Sequence, residues 1–238
     1  MKKIILLLLV ASNSVLFAQY KTGEELLATM HKKYYQNYCK TVQFEQKTIR
    51  YKNDIITNHD VIVDTAYWYE WISYPDKFRI DIGAKFSGNG VIFKNDSAYN
   101  YKKHKLVKTK SDKNDLLLLL GGMYFRKFDD VTTRLKNAGY DLSKIKSDTL
   151  NNISCYVIGA EGSYQIWVDK NDLKVIGLKS KLTGTEWLEI RFDAFQKSCK
   201  GFNETKVTAK KNGNLEQVEE YQNIKTEILI PDSIFNKK

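Results

Sequence analysis

The chain runs to 238 residues, 42% apolar and 13% aromatic with only two prolines, a composition that supports a packed core and excludes a disordered chain. Its net charge of +10 is carried overwhelmingly by lysine, with arginine only at Arg50, Arg79, Arg126, Arg134 and Arg191. Readers of phosphate and base edges lean on arginine forks, so the surplus reads as a solvated surface and nucleic acid is not expected as a partner.

Lys2 and Lys3, the apolar run 4–11 and the small-residue step at Ala18 predict a signal peptide over residues 1–18 and export to the periplasm. No later stretch approaches the ~18 consecutive apolar residues of a membrane-crossing helix. The first cysteine, Cys39, lies far beyond the cleavage point, so lipidation is not expected; Cys39, Cys155 and Cys199 permit at most one disulfide, and their pairing stays open. Thr22-Gly23-Glu24-Glu25 is a capping box that opens a helix, with Leu26, Leu27, Met30 and Tyr34 on one face through about Tyr38. From Lys40 the period becomes two, placing Val42, Phe44, Gln46 and Thr48 on one side and Gln43, Glu45 and Lys47 on the other. Strands follow over 55–65 and 67–74. Pro75 removes a ladder donor, so the strand is expected to bend there and continue over 77–81. Further strands over 90–94, 98–101 and 106–109 complete an antiparallel meander, the first two joined by a turn at Asn95-Asp96 and the last two by a basic turn. Lys102, Lys103, His104, Lys105, Lys108 and Lys110 form the tightest basic cluster, suited to anionic headgroups or an acidic partner if it is more than solvated surface.

The meander stops at 111–115, where several residues can cap a helix. Five leucines follow at 116–120, apolar all round, then Gly121-Gly122 as a hinge, and a second helix over 129–138 ended by Gly139. Strands resume over 155–160, 164–168, 175–181 and 186–195, where Leu188, Ile190, Phe192 and Ala194 alternate with Trp187, Glu189, Arg191 and Asp193, and over 205–210 and 215–228 around the type I′ signal Asn212-Gly213.

Phe44-Glu45-Gln46-Lys47, Tyr74-Pro75-Asp76-Lys77-Phe78-Arg79 and the closing segment 223–235 with its Pro and Phe follow one another in an order that resembles the LolA-like periplasmic lipoprotein carriers and their sensor relatives. The resemblance spans nearly all of the mature chain. It implies an α+β, predominantly β fold: a half-open antiparallel β-barrel of about ten or eleven strands, with an N-terminal helix and a central helical lid, residues 19–238 forming a single domain. Tyr74 stands where the carriers place the arginine that holds the lid, and its hydroxyl can make one such hydrogen bond.

The function implied is a monomeric carrier or chaperone that shields acyl chains of lipoproteins or lipids, with inner- and outer-membrane proteins as partners. An envelope sensor or protein-interaction module of the same fold is the rival. The cavity and lid candidates are Tyr69, Trp71, Tyr74, Phe78, Ile80, Phe93, Leu116, Leu117, Leu118, Met123, Leu188, Ile190 and Phe192. Burial of an acyl chain there contributes ~0.8 kcal/mol per CH₂ without any charged contact. His31, His59 and His104 lack ligand spacing, and no nucleophile elbow, phosphate loop or dinucleotide fingerprint occurs, so no catalytic residue, metal or cofactor is expected.

Overall fold

The computed structural model describes residues 20–54, 59–182 and 184–236; the expected signal peptide and positions 55–58 of the strand expected over 55–65 lie outside them. Helix α1 spans Gly23–Tyr34 and is capped as its sequence requires: the Thr22 hydroxyl accepts from the Glu25 amide at 3.1 Å, and the Glu25 carboxylate accepts from the Lys21 amide at 2.8 Å. Its apolar stripe of Leu26, Leu27 and Met30 is wholly buried.

Six strands follow, β1 (Thr41–Asp54), β2 (His59–Ser73), β3 (Lys77–Ile82), β4 (Gly90–Lys94), β5 (Ser97–Lys102) and β6 (Lys105–Ser111). Helix α2 (Asp115–Leu120), a 3₁₀ turn (Gly122–Phe125) and helix α3 (Phe128–Ala138) interrupt them. Seven more strands complete the set: β7 (Ile145–Leu150), β8 (Ile153–Ile158), β9 (Gln165–Asp169), β10 (Val175–Lys181), β11 (Trp187–Ser198), β12 (Gly201–Lys211) and β13 (Asn214–Thr226). Each half is a meander, and antiparallel pairing of β1 with β13 joins them into one unclosed sheet of 13 strands, ordered β6-β5-β4-β3-β2-β1-β13-β12-β11-β10-β9-β8-β7. The sheet thus exceeds the expected strand count. Strand β7, Ile-Lys-Ser-Asp-Thr-Leu, carries no apolar alternation; it forms because an edge strand needs only its backbone ladder to β8.

Two local expectations are corrected. The chain does not bend and continue at Pro75; it reverses, through a turn that contains the cis Tyr74–Pro75 bond, so that Ser73 faces Lys77 and Ile72 faces Phe78. A tight turn that keeps the phase of alternation looks the same in sequence as a bend. The segment expected to close the sheet over 223–235 leaves β13 at Thr226 and crosses the other face, where a 3₁₀ turn (Asp232–Phe235) buries Phe235 against Trp71 and Ile92.

The helices lie on one face of the sheet. The main core joins Leu26, Leu27 and Met30 of α1, Leu118 and Leu119 of α2, and Val131 and Leu135 of α3 to strands β8 to β12. A second cluster gathers Val42, Phe44, Ile72, Tyr74 and Leu117. Of the three cysteines, Cys39 and Cys199 form the disulfide, 160 positions apart, while Cys155 is free and buried. No helix among the described residues is long and apolar enough to cross a membrane.

Candidate functional site: the helix-covered sheet face

The five leucines of α2 divide between the two clusters. Asn114 caps the helix by accepting from the Leu117 amide at 2.9 Å; Leu117 then points into the Phe44 and Ile72 cluster, while Leu118 and Leu119 enter the main core, with Leu116 and Leu120 half-buried beside them. A helix apolar on all sides is satisfied here because it is wedged between two apolar patches.

The glycine pair has a different reason from the one expected. The φ of Gly121 is 171°, extended backbone that any residue adopts, so no hinge conformation is involved. A Cβ at Gly121 would lie 2.5 Å from the Tyr74 ring, and one at Gly122 would lie 2.8 Å from the Pro75 carbonyl oxygen. Both glycines are needed for close approach to the β2–β3 turn. The Tyr74 hydroxyl donates to the Leu120 carbonyl at 3.5 Å, the outer limit of such a bond. Its ring stacks on Phe125 at 6.0 Å and meets Tyr38 edge-on at 6.4 Å. Burial holds the Tyr74, Tyr38 and Tyr124 phenols well above the usual range, so all three stay neutral.

Ion pairs that sequence reasoning did not single out fasten the helical segment to the hairpin tips. Arg134 of α3 makes a fork to Asp96 at 2.9 and 3.1 Å and also reaches Asp130 at 3.2 Å. Arg126 reaches Asp130 at 3.1 Å and Asp76, in the β2–β3 turn, at 4.0 Å. The Arg134 hydrogen bonds hold the Asp96 carboxyl below its ordinary range.

Of the expected cavity residues, Tyr74, Phe78, Leu117 and Leu118 meet at one end of the covered face, where Phe93 stacks on Phe78 at 5.6 Å and lines a crevice with Leu117 and Leu118. Leu116, Met123, Leu188, Ile190 and Phe192 belong to the main core. Ile80 pairs with Glu70 and Val91. Tyr69 and Trp71 are not brought to this face. They alternate with Ile72, so they point the other way: Trp71 stacks on Phe86 at 5.4 Å beneath Phe235, and Tyr69 lines an open groove of about 1120 Å³ with Tyr67, Ile82 and Tyr101.

Between the two apolar ends stands a polar group that sequence reasoning missed: Glu70 on β2, Glu204 on β12, and Glu219 on β13 with Gln217 and Tyr221, all near Gln46 and Thr48 of β1. Its signal was present, because Gln46 and Thr48 occupy the same phase of alternation as Val42 and Phe44. The Tyr221 hydroxyl donates to Glu219 at 2.6 Å. Burial pushes all three acids up, Glu204 from 4.5 to about 7; the neighbouring carboxylates add to it at Glu70 and Glu204, while hydrogen bonds from Tyr221, Gln217 and Gln46 pull Glu219 back. The single cluster of metal-donor groups among the described residues, Cys39, Cys199 and Glu227, has both sulfurs engaged in the disulfide.

Beneath the helices the space is nearly filled. The crevice at Phe93, Leu117 and Leu118 and another at Leu119, Leu120, Tyr124 and Glu204 hold about 10 Å³ each, the threshold for one water. An acyl chain therefore fits on this face only if α2 moves.

No family model matches the chain, and neither does any curated protein. Solved structures do. A DUF1329 family protein from Desulfovibrio piger superimposes with a TM-score of 0.59 at 14% identity, over 90% of this chain and 95% of its own. A LolA superfamily protein from Nitrosomonas europaea gives 0.55 at 13%, over 91% and 98%, and a domain named for outer membrane lipoprotein sorting from Vibrio parahaemolyticus gives 0.54 at 10%, over 90% and 96%. At such identities the likeness is one of architecture, and the unclosed antiparallel sheet with its helix-covered face is a LolA-like fold.

Proposed function

We propose that the chain is an exported periplasmic carrier, a single domain over residues 19–238 once the signal peptide is removed, which shelters the acyl chains of a lipoprotein or lipid on the helix-covered face. Binding alone does the work. The observation that carries this reading is α2, a six-residue helix that places Leu117, Leu118 and Leu119 between two apolar clusters of a sheet that does not close. A chain that displaces those leucines exchanges one apolar contact for another, and each buried CH₂ contributes ~0.8 kcal/mol. The polar anchors of the segment, Arg134 to Asp96 and Tyr74 to Leu120, keep it in place when the face is empty.

Native mass spectrometry of the protein taken from the periplasm is expected to show adducts of lipid or lipoprotein mass, and a fluorescent acyl probe is expected to bind the emptied protein. Bare protein together with no probe uptake overturns the reading.

A further inference from the structure

Acyl binding leaves the polar centre of the covered face unused. Glu70 is 3% exposed, and among the described residues its carboxylate has no hydrogen-bond partner. The charges that act on it are those of Glu219 and Glu204, and no cation is among them. Of the other groups facing the three acids, Tyr221 and Gln217 on β13, Gln46 and Thr48 on β1, and Tyr38 and Tyr74 beside Glu204 are neutral. Lys174, which lines the crevice with Glu204, is held by Asp169 and Asp172 at 3.0 and 2.7 Å. Carboxylates are acceptors only, so an ionised cluster with one phenol and two amides as side-chain donors, all of them to Glu219, is short of partners in a medium that screens poorly.

Resting on the acyl-carrier reading, we propose that Glu70, Glu204 and Glu219 receive the ammonium headgroup of an amine-bearing amphiphile whose chain lies on the flanking apolar clusters. An ammonium offers three donors and no acceptor, the complement of this group. Glu204 lines the same crevice as Leu119 and Leu120, so the displacement of α2 that admits a chain also opens the way to the carboxylates. In the empty protein, burial and mutual repulsion favour the neutral acids; a bound ammonium favours the ionised ones. Binding therefore releases protons and tightens as pH rises through the value of about 7 held by Glu204.

Calorimetric titration of the full chain with dodecylammonium, dodecanol and dodecanoate compares three headgroups on one chain length. Dodecylammonium is expected to bind about ten- to a hundredfold more tightly than dodecanol, as charge-assisted hydrogen bonds allow. That preference should grow from about pH 6 to about pH 8 and collapse in Glu70→Gln/Glu219→Gln, with Glu70→Gln alone as the gentler variant should the double one fold poorly. Equal affinity for all three, or tighter binding of dodecanoate, overturns the headgroup site and leaves the acyl reading standing. Binding of none overturns both.

Discussion

Gly121 is the residue at which the closed arrangement is least forgiving. Its missing Cβ leaves room for the Tyr74 ring, and a methyl group built there comes within 2.5 Å of Cζ. Gly121→Ala is expected to cost ~1–3 kcal/mol by overpacking and to speed uptake of an acyl probe, because the strain falls on the contact between α2 and the β2–β3 turn. Thermal melting and stopped-flow uptake check it; an unchanged uptake rate would place the contact outside the binding pathway. Glu204 gives a pH signature. Its folded pKa lies above the unfolded value, so the folded state holds the extra proton; the stabilisation is full below about pH 4.5 and is lost as pH rises to about 7. Urea unfolding across that window should show stability falling by ~1–3 kcal/mol, and Glu204→Gln should flatten the slope. Asp96 works in the opposite direction. Its depressed carboxyl contributes stability above its unfolded pKa that is lost as pH falls through the folded one, so the two effects separate on the pH axis.

At the scale of elements, the helical segment is a wedge fastened at its ends. Leu118 is 4% exposed and touches the main core, so Leu118→Asn tests whether α2 is fixed or displaceable. In a fixed core helix the substitution costs ~2–5 kcal/mol, whereas in a displaceable one it costs less and chiefly weakens acyl-probe uptake. A steep drop in melting temperature with unchanged uptake by the remaining folded protein would make α2 plain core. Arg134→Met removes the fork to Asp96 while keeping the apolar stem. Since Asp96 is itself half-exposed at the β4–β5 turn, the stability loss should be no more than ~1 kcal/mol, while probe uptake quickens and loses its dependence on salt. Strand β6 shows the bland side of the lysine-rich hairpin. It is an exposed edge, and Lys105, Lys108 and Lys110 along it discourage pairing with another chain.

Across the whole molecule, the disulfide closes the longest loop available to it. Cys39 follows α1 and Cys199 sits in the β11–β12 turn, 160 positions away, so the bond restrains both halves of the sheet near the β1–β13 seam. Reduction, or Cys199→Ser with Cys39→Ser, is expected to remove ~2–5 kcal/mol in urea unfolding, the range set by a long loop in the unfolded chain. Cys155, wholly buried on β8, should stay unreactive to thiol reagents until the sheet opens, and its thiol is pushed up by burial.

The capping box, the period-two runs, the five leucines and the Asn212-Gly213 turn each act within a few residues, so α1, most strands and α2 were legible from the sequence alone. So was the apolar phase that places Phe78 and Ile190 on the covered face. Alternation cannot say which phase faces the helices when both are aromatic, as in β2, and there Trp71 and Tyr69 went to the opposite side. Nor can it separate a bend from a reversal, which is why Pro75 needed the pairing of β2 with β3. The meeting of Glu70 with Glu204 and Glu219, and of Cys39 with Cys199, was decided only by tertiary structure. Both depend on the β1–β13 ladder, a pairing between strands at opposite ends of the chain whose backbone hydrogen bonds leave no mark in the local order of residues.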